Sequence, residues 1–214
     1  MSLPSGAAGR AKSTLRELKK LYPDAHCELD FGNPLELLVA TILSAQCTDK
    51  RVNLVTKDLF KKYRRARDYA EAESSEIEAA IRSTGFYRAK ARSIREMAAA
   101  LARDFGGRVP ERMEDLLRLR GVARKTANVI LGTAFGIAAG VVVDTHVKRL
   151  SHRLGLSNEE NPEKIEKDLM ALVPNKDWIF FGHAMIWHGR RLCVARAPRC
   201  PACPMRAFCP RRGV

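Results

Sequence analysis

No run of about 18 consecutive apolar residues occurs in this 214-residue chain, which argues against a membrane-spanning helix. Sustained alternation of apolar and polar residues is also missing, so half-buried strands are not expected. Acidic residues are scarce: 24 Asp plus Glu stand against 38 Lys plus Arg, a formal charge of +14, and none lies between Trp178 and Val214. Such a balance points to an anionic polymer or surface as partner, nucleic acid first, without choosing among DNA, RNA and acidic lipid. The opening stretch Met1–Ser13 lacks an apolar block of secretory-signal length, so an intracellular location is expected. Its Gly, Pro, Ser and basic residues read as a mobile tail over residues 1–12.

What is present is helical spacing of apolar residues almost throughout, which predicts an all-α fold. The expected helices are Thr14–Tyr22, Pro34–Gln46, Lys50–Tyr63, Ser75–Ser83, Arg88–Phe105, Met113–Leu119, Ala123–Phe135, Thr145–Leu154, Pro162–Leu172 and Asp177–Leu192. Asn33 before Pro34 and Asn161 before Pro162 place a capping side chain ahead of a proline at the first helical position, where no amide donor is lost. Val141-Val142-Val143 is too short to found a sheet and reads as an extended connector, with Gly140–Val143 the candidate domain crossing.

Six cysteines without an export signal argue for metal binding or buried thiols over disulfides. Cys193, Cys200, Cys203 and Cys209 are separated by six, two and five residues, with prolines between them that let a loop turn around one centre. Only Cys200 and Cys203 form a Cys-x-x-Cys knuckle, so spacing alone leaves an iron-sulfur cluster, zinc, and unligated or paired thiols open. Cys27 and Cys47 sit among apolar neighbours and read as buried packing.

The segment Leu116–Ile130 reads as a short helix, a tight turn at Gly121 and a second helix. A helix-hairpin-helix of this kind aims backbone amides and a positive helix end outward, which suits a DNA phosphate and is indifferent to base sequence; Arg120 and Arg124 reinforce it. Lys125 falls in the first turn of the second helix, where the macrodipole disfavours a cation, so helix stability does not account for it. The same field favours the free amine, the form that attacks carbon. Asp144, after the valine connector, is placed to cap the next helix, and a second carboxylate oxygen can still serve a developing sugar cation or a proton.

Taken in order, Leu43-Ser44-Ala45-Gln46-Cys47-Thr48-Asp49, Gly85-Phe86-Tyr87, Leu119–Ala127, Val143-Asp144-Thr145-His146 and the four C-terminal cysteines resemble the endonuclease III family, bifunctional DNA glycosylases of the helix-hairpin-helix superfamily. The likeness runs from about residue 14 to 210. It implies two helical domains flanking a DNA-binding cleft: a six-helix domain over 27–139, and a helical iron-sulfur domain formed by 1–26 and 140–214. It implies Lys125 as nucleophile, Asp144 as catalytic carboxylate, and a 4Fe-4S cluster held by Cys193, Cys200, Cys203 and Cys209. It also implies contacts to damaged or abasic duplex DNA through Gln46, which fills the vacated space, Phe86, which wedges between bases, and Arg120, Gly121, Val122, Ala123, Arg124, Thr126 and His146. A monomer without membrane association is expected. Arg120 stands where the family usually has proline, Ala123 where it has glycine, Phe86 where leucine is common and Cys47 where alanine is common. A mismatch-specific glycosylase without lyase activity, or a non-catalytic iron-sulfur DNA-binding module, would share the charge, the hairpin and the cysteines.

Overall fold

The computed structural model describes residues 3–214. Its helices, in chain order, are α1 (Ala7–Leu21), α2 (Pro34–Leu43), α3 (Asp49–Lys62), α4 (Ala66–Glu71), α5 (Ser74–Ile81), α6 (Tyr87–Asp104), α7 (Met113–Leu116), α8 (Arg124–Phe135), α9 (Thr145–Arg153), α10 (Pro162–Leu172) and α11 (Trp178–Arg191). Short 3-10 turns add Arg82–Thr84, Asn175–Asp177, Cys200–Ala202 and Pro204–Ala207, and no strand occurs among the described residues. No helix among them is long and apolar enough to cross a membrane. The chain divides into two compact units, a continuous one over Glu28–Ile137 and a discontinuous one joining the N-terminal residues through Cys27 to Ala138–Val214.

In the continuous unit, α2 is buried over eight of its ten residues and forms the centre, as an almost wholly apolar helix must. Asn33 Oδ1 accepts from the Glu36 amide at 3.0 Å, with Pro34 at the first helical position, so the helix starts where the Asn-Pro pair predicts. The helices α3, α6 and α8 pack around it. Periodicity misses α4, whose six residues are too few to show a pattern. Tertiary packing on α6 holds it through buried Ala66 and Tyr69, and Asp68 Oδ2 accepts from the Arg64 and Arg65 amides at 2.8 and 2.9 Å.

In the discontinuous unit, α1, α9, α10 and α11 share a core with the valine connector, of which Leu18, Val141, Val147, Leu150 and Phe181 are centre. The expected mobile tail is corrected here: α1 begins at Ala7, seven residues before Thr14, while Met1 and Ser2 lie outside the described residues. Ala7 and Ala11 are buried, and Arg10 donates to Leu154 O at 2.8 Å and Gly155 O at 2.6 Å. Alanine is the best helix former, and a guanidinium on carbonyls at the end of α9 answers the negative end of that helix, so a composition that suggests a tail is held as helix. Cys27 and Cys47 are only partly buried, not enclosed as their apolar neighbours suggest.

Candidate active site and cysteine cluster

The hairpin forms from α7 and α8 around Gly121. That residue has φ +80°, and a Cβ there would lie 3.1 Å from Ser93 Cβ, so both backbone conformation and close packing require glycine. Val122 anchors the turn in the core while Arg120, Gly121 and Ala123 are exposed, with Arg120 within 4.0 Å of Glu96. Ala123 is the N-cap of α8 at φ −94° and ψ 172°, ordinary extended backbone, so alanine is unstrained there. Its side chain offers no cap hydrogen bond, and the first turn of α8 holds no acidic residue. Arg124 and Lys125 occupy that turn, Lys125 exposed and Arg124 and Thr126 half-buried.

Asp144, half-buried, caps α9: its Oδ1 accepts from the His146 and Val147 amides, each at 2.8 Å. Both cap bonds end on one oxygen, so the cap does not require Oδ2. His146 lies in the first turn of α9, and burial chiefly holds its imidazole below the usual histidine range; Asp144 opposes this, and Arg149 and Arg190 add to it. Gly189 of α11 packs against it so closely that a Cβ there would stand 2.9 Å from His146 Cβ.

Gln46 and Phe86 share an unusual backbone. Among the described residues four non-glycine positions have positive φ: Gln46 at 53°, Phe86 at 49°, Ala197 and Arg211. The left-handed conformation costs an ordinary side chain roughly 1–2 kcal/mol, and such strain collects at functional segments. Gln46 is exposed in the turn between α2 and Thr48, which caps α3 through the Arg51 amide. Phe86, at the start of α6, is 66% exposed, so it is not the core residue its aromatic ring suggests.

A residue that the motif reading passed over joins these two turns. Lys90 is only 5% exposed, and its ammonium donates to Leu43 O at 2.7 Å and Thr84 O at 2.8 Å. Burial pushes its pKa down, with Cys47 opposing. The signal was in the sequence: Lys90 falls in register with Ile94, Met97 and Leu101 on the buried face of α6, a lysine inside an apolar stripe.

The four C-terminal cysteines converge. None is in a disulfide, all are partly buried, and all line one cavity with Leu150, Met205 and neighbours. Burial pushes the Cys203 and Cys209 thiols up, and the nearby sulfurs of Cys193 and Cys200 push in the same direction. Mutually opposing thiolates around a cavity are a donor set that a cationic centre relieves. Four thiols lining one cavity are a donor set that suits a thiolate-bound metal centre. Two arginines of α9 fasten the loop and the end of α11: Arg149 donates to Gly189 O of α11 at 2.9 Å and to Cys193 O at 3.0 Å, and Arg153 to Val194 O and Ala195 O, both at 2.8 Å, and to Cys193 Sγ at 3.4 Å.

This arrangement of hairpin, capped carboxylate and cysteine loop has clear counterparts. Residues 39–175 match the family described as HhH-GPD superfamily base excision DNA repair protein. The chain is 56% identical to endonuclease III of Synechocystis sp., over 94% of this chain and 92% of that one, and 45% identical to endonuclease III of Bacillus subtilis, over 91% and 89%. Its fold superposes on a structure described as a non-covalent endonuclease III–DNA complex with a TM-score of 0.92 and 47% identity, covering 95% of each chain. With full-length relatives at this identity and a hairpin carrying the expected lysine, the chain belongs to the endonuclease III family within the HhH-GPD superfamily of base-excision DNA repair proteins.

Proposed function

We propose that this DNA glycosylase and abasic-site lyase removes oxidised pyrimidines from duplex DNA with Lys125 as nucleophile and Asp144 as the assisting carboxylate. The observation that carries the reading is Lys125 itself: an exposed cation in the first turn of a helix whose N-cap side chain makes no hydrogen bond. Helix electrostatics oppose a cation there, so the position serves something outside the helix.

A base within the duplex stack is out of reach, so the damaged nucleotide must first be extruded, at a cost of a few kcal/mol. Gln46 fills the space it leaves and Phe86 enters the stack, both presented on strained turns that keep them exposed. The hairpin binds the backbone: the amides at the start of α8, with Arg120 and Arg124 beside them, receive a phosphate, while Gly121, Val122, Ala123 and Thr126 shape the approach. His146 lines the approach beside Asp144.

The neutral amine of Lys125 attacks C1′ of the extruded nucleotide. The C1′–N bond breaks, and the base leaves with the bonding pair and takes up a proton. Opening of the sugar gives a protonated imine between Nζ and C1′. Loss of a C2′ proton then expels the 3′ phosphate with its electron pair, and water releases Lys125. Asp144 Oδ2 supports the positive charge developing at C1′ and the proton movements of the reaction, while Oδ1 stays on the α9 amides.

Cys193, Cys200, Cys203 and Cys209 would hold a 4Fe-4S cluster. When bound, it supplies a fixed cross-link for the basic loop and no chemistry at the sugar. Arg149 and Arg153 attach that loop to the helix that Asp144 caps, so the loop's arginines meet phosphate from a rigid base and affinity for duplex DNA falls steeply with salt.

Borohydride reduction during reaction with abasic DNA tests the assignment. The native protein is expected to give a covalent adduct through Lys125, and Lys125→Gln to give none while folding normally. Absence of an adduct with the native protein would leave a binding protein without lyase chemistry and would overturn the reading.

A further inference from the structure

Among the described residues Lys90 is the one buried lysine, and nothing in the chemistry at the sugar uses it. Burying an ammonium is costly unless its donors are met, so an apolar side chain in register with Ile94 and Met97 would have been the simpler solution. The two acceptors explain the charge. Leu43 O closes α2 and Thr84 O closes the 3-10 turn Arg82–Thr84, two C-terminal ends whose last carbonyls lack helical partners and carry partial negative charge. One ammonium answers both ends. Beyond each end the chain turns at once into a strained residue, Gln46 three positions after Leu43 and Phe86 two positions after Thr84. The Lys90 amide also donates to Phe86 O at 3.0 Å, so Lys90 holds the Phe86 turn through both main chain and side chain.

We propose that Lys90 is a positioning residue for base extrusion: its ammonium ties the end of α2 to the Arg82–Thr84 turn and so sets Gln46 and Phe86 together in the conformation that enters the duplex. This rests on the reading of Gln46 and Phe86 as the residues that enter the stack. Both side-chain bonds go to main-chain carbonyls and therefore fix backbone, which is where the strain of the two turns resides. A loss of the tie lets either turn relax toward ordinary backbone and draws its side chain away from the geometry it needs.

The test compares two reactions of the full-length enzyme. Single-turnover excision of an oxidised pyrimidine from duplex DNA requires extrusion, whereas borohydride trapping on an abasic site in single-stranded DNA does not. Lys90→Met is expected to slow duplex excision by about tenfold or more while single-strand trapping stays within about twofold, since small misplacements at a positioning contact cost rate steeply. Lys90→Arg, which keeps a charged donor, is expected to recover part of the lost rate. Adding Lys90→Met to the Gln46→Ala/Phe86→Ala double variant is expected to slow excision no further. Duplex excision at the native rate in Lys90→Met, or parallel loss of both reactions in Lys90→Met and Lys90→Arg, overturns the proposal. Native-rate excision by Gln46→Ala and by Phe86→Ala overturns instead the reading of those residues, and the positioning role with it. Where circular dichroism shows Lys90→Met unfolded, Lys90→Gln, a neutral donor, carries the same comparison with the same deciding outcomes.

Discussion

The starts of α8 and α9 solve the same problem in opposite ways. Both must deal with amides that no earlier turn can accept. Asp144 answers α9 with a carboxylate on two amides, while Ala123 gives α8 nothing, and two cations follow it. By local rules α9 is well made and α8 is not. The residue assigned as nucleophile breaks its helix's rule, and the residue assigned as carboxylate obeys its own. A functional lysine is therefore conspicuous from helix electrostatics alone, and a functional aspartate is hidden behind a sufficient structural reason.

Substitutions can pull these roles apart. The largest effect is expected at Asp144: Asn caps as well as Asp, so Asp144→Asn should unfold at nearly the native temperature while turnover on duplex DNA falls about a hundredfold or more. Asp144→Ala should lose that activity and also about 1 kcal/mol of stability. Equal activity in Asp144→Asn and the native protein would reduce the residue to its cap. Giving α8 the cap it lacks should have an intermediate effect. Ala123→Ser is expected to stabilise the protein by about 1 kcal/mol and, because the cap competes for the same amides, to weaken duplex binding on the order of fivefold, read by thermal unfolding and fluorescence anisotropy. Tighter binding would mean that those amides do not face phosphate.

The smallest effect concerns His146, in the first turn of α9. His146 has a folded pKa depressed below its ordinary 6.5, chiefly by burial. The unfolded chain therefore takes up the proton first as pH falls, and the stability associated with the neutral ring is lost on acidification below about 6.5. His146→Gln should flatten the fall of the unfolding midpoint between about pH 6.5 and 5, and an unchanged slope would assign that fall to other groups.

Much of this was legible in the chain. Asn33, Asn161 and Asp144 are caps with short-range partners, and each is used as its spacing predicts. The long helices follow from apolar stripes that three or more turns repeat. What sequence reading misplaced depends on partners distant along the chain. The first turns of α1 are secured by Arg10 reaching carbonyls more than a hundred residues away, and α4 is held by α6. At the candidate site, the cysteines and Lys125 stood out as types in a pattern, while Asp144 read first as a cap and gained its catalytic role only from the resemblance. Lys90 did not stand out, because its meaning lies in two backbone carbonyls, and backbone is the same in every sequence.

The discontinuous unit imposes an order on synthesis. Leu18 of α1 and Phe181 of α11 share one core, yet all of Glu28–Ile137 is translated between them. The inserted unit has its packing partners within its own stretch and can condense as it emerges, whereas α1 must wait with its apolar face unsheltered until the later helices follow. The hairpin bearing Lys125 is thus made before the helix that Asp144 caps has anything to rest upon, and the ribosome delivers the proposed nucleophile and the proposed carboxylate at different times.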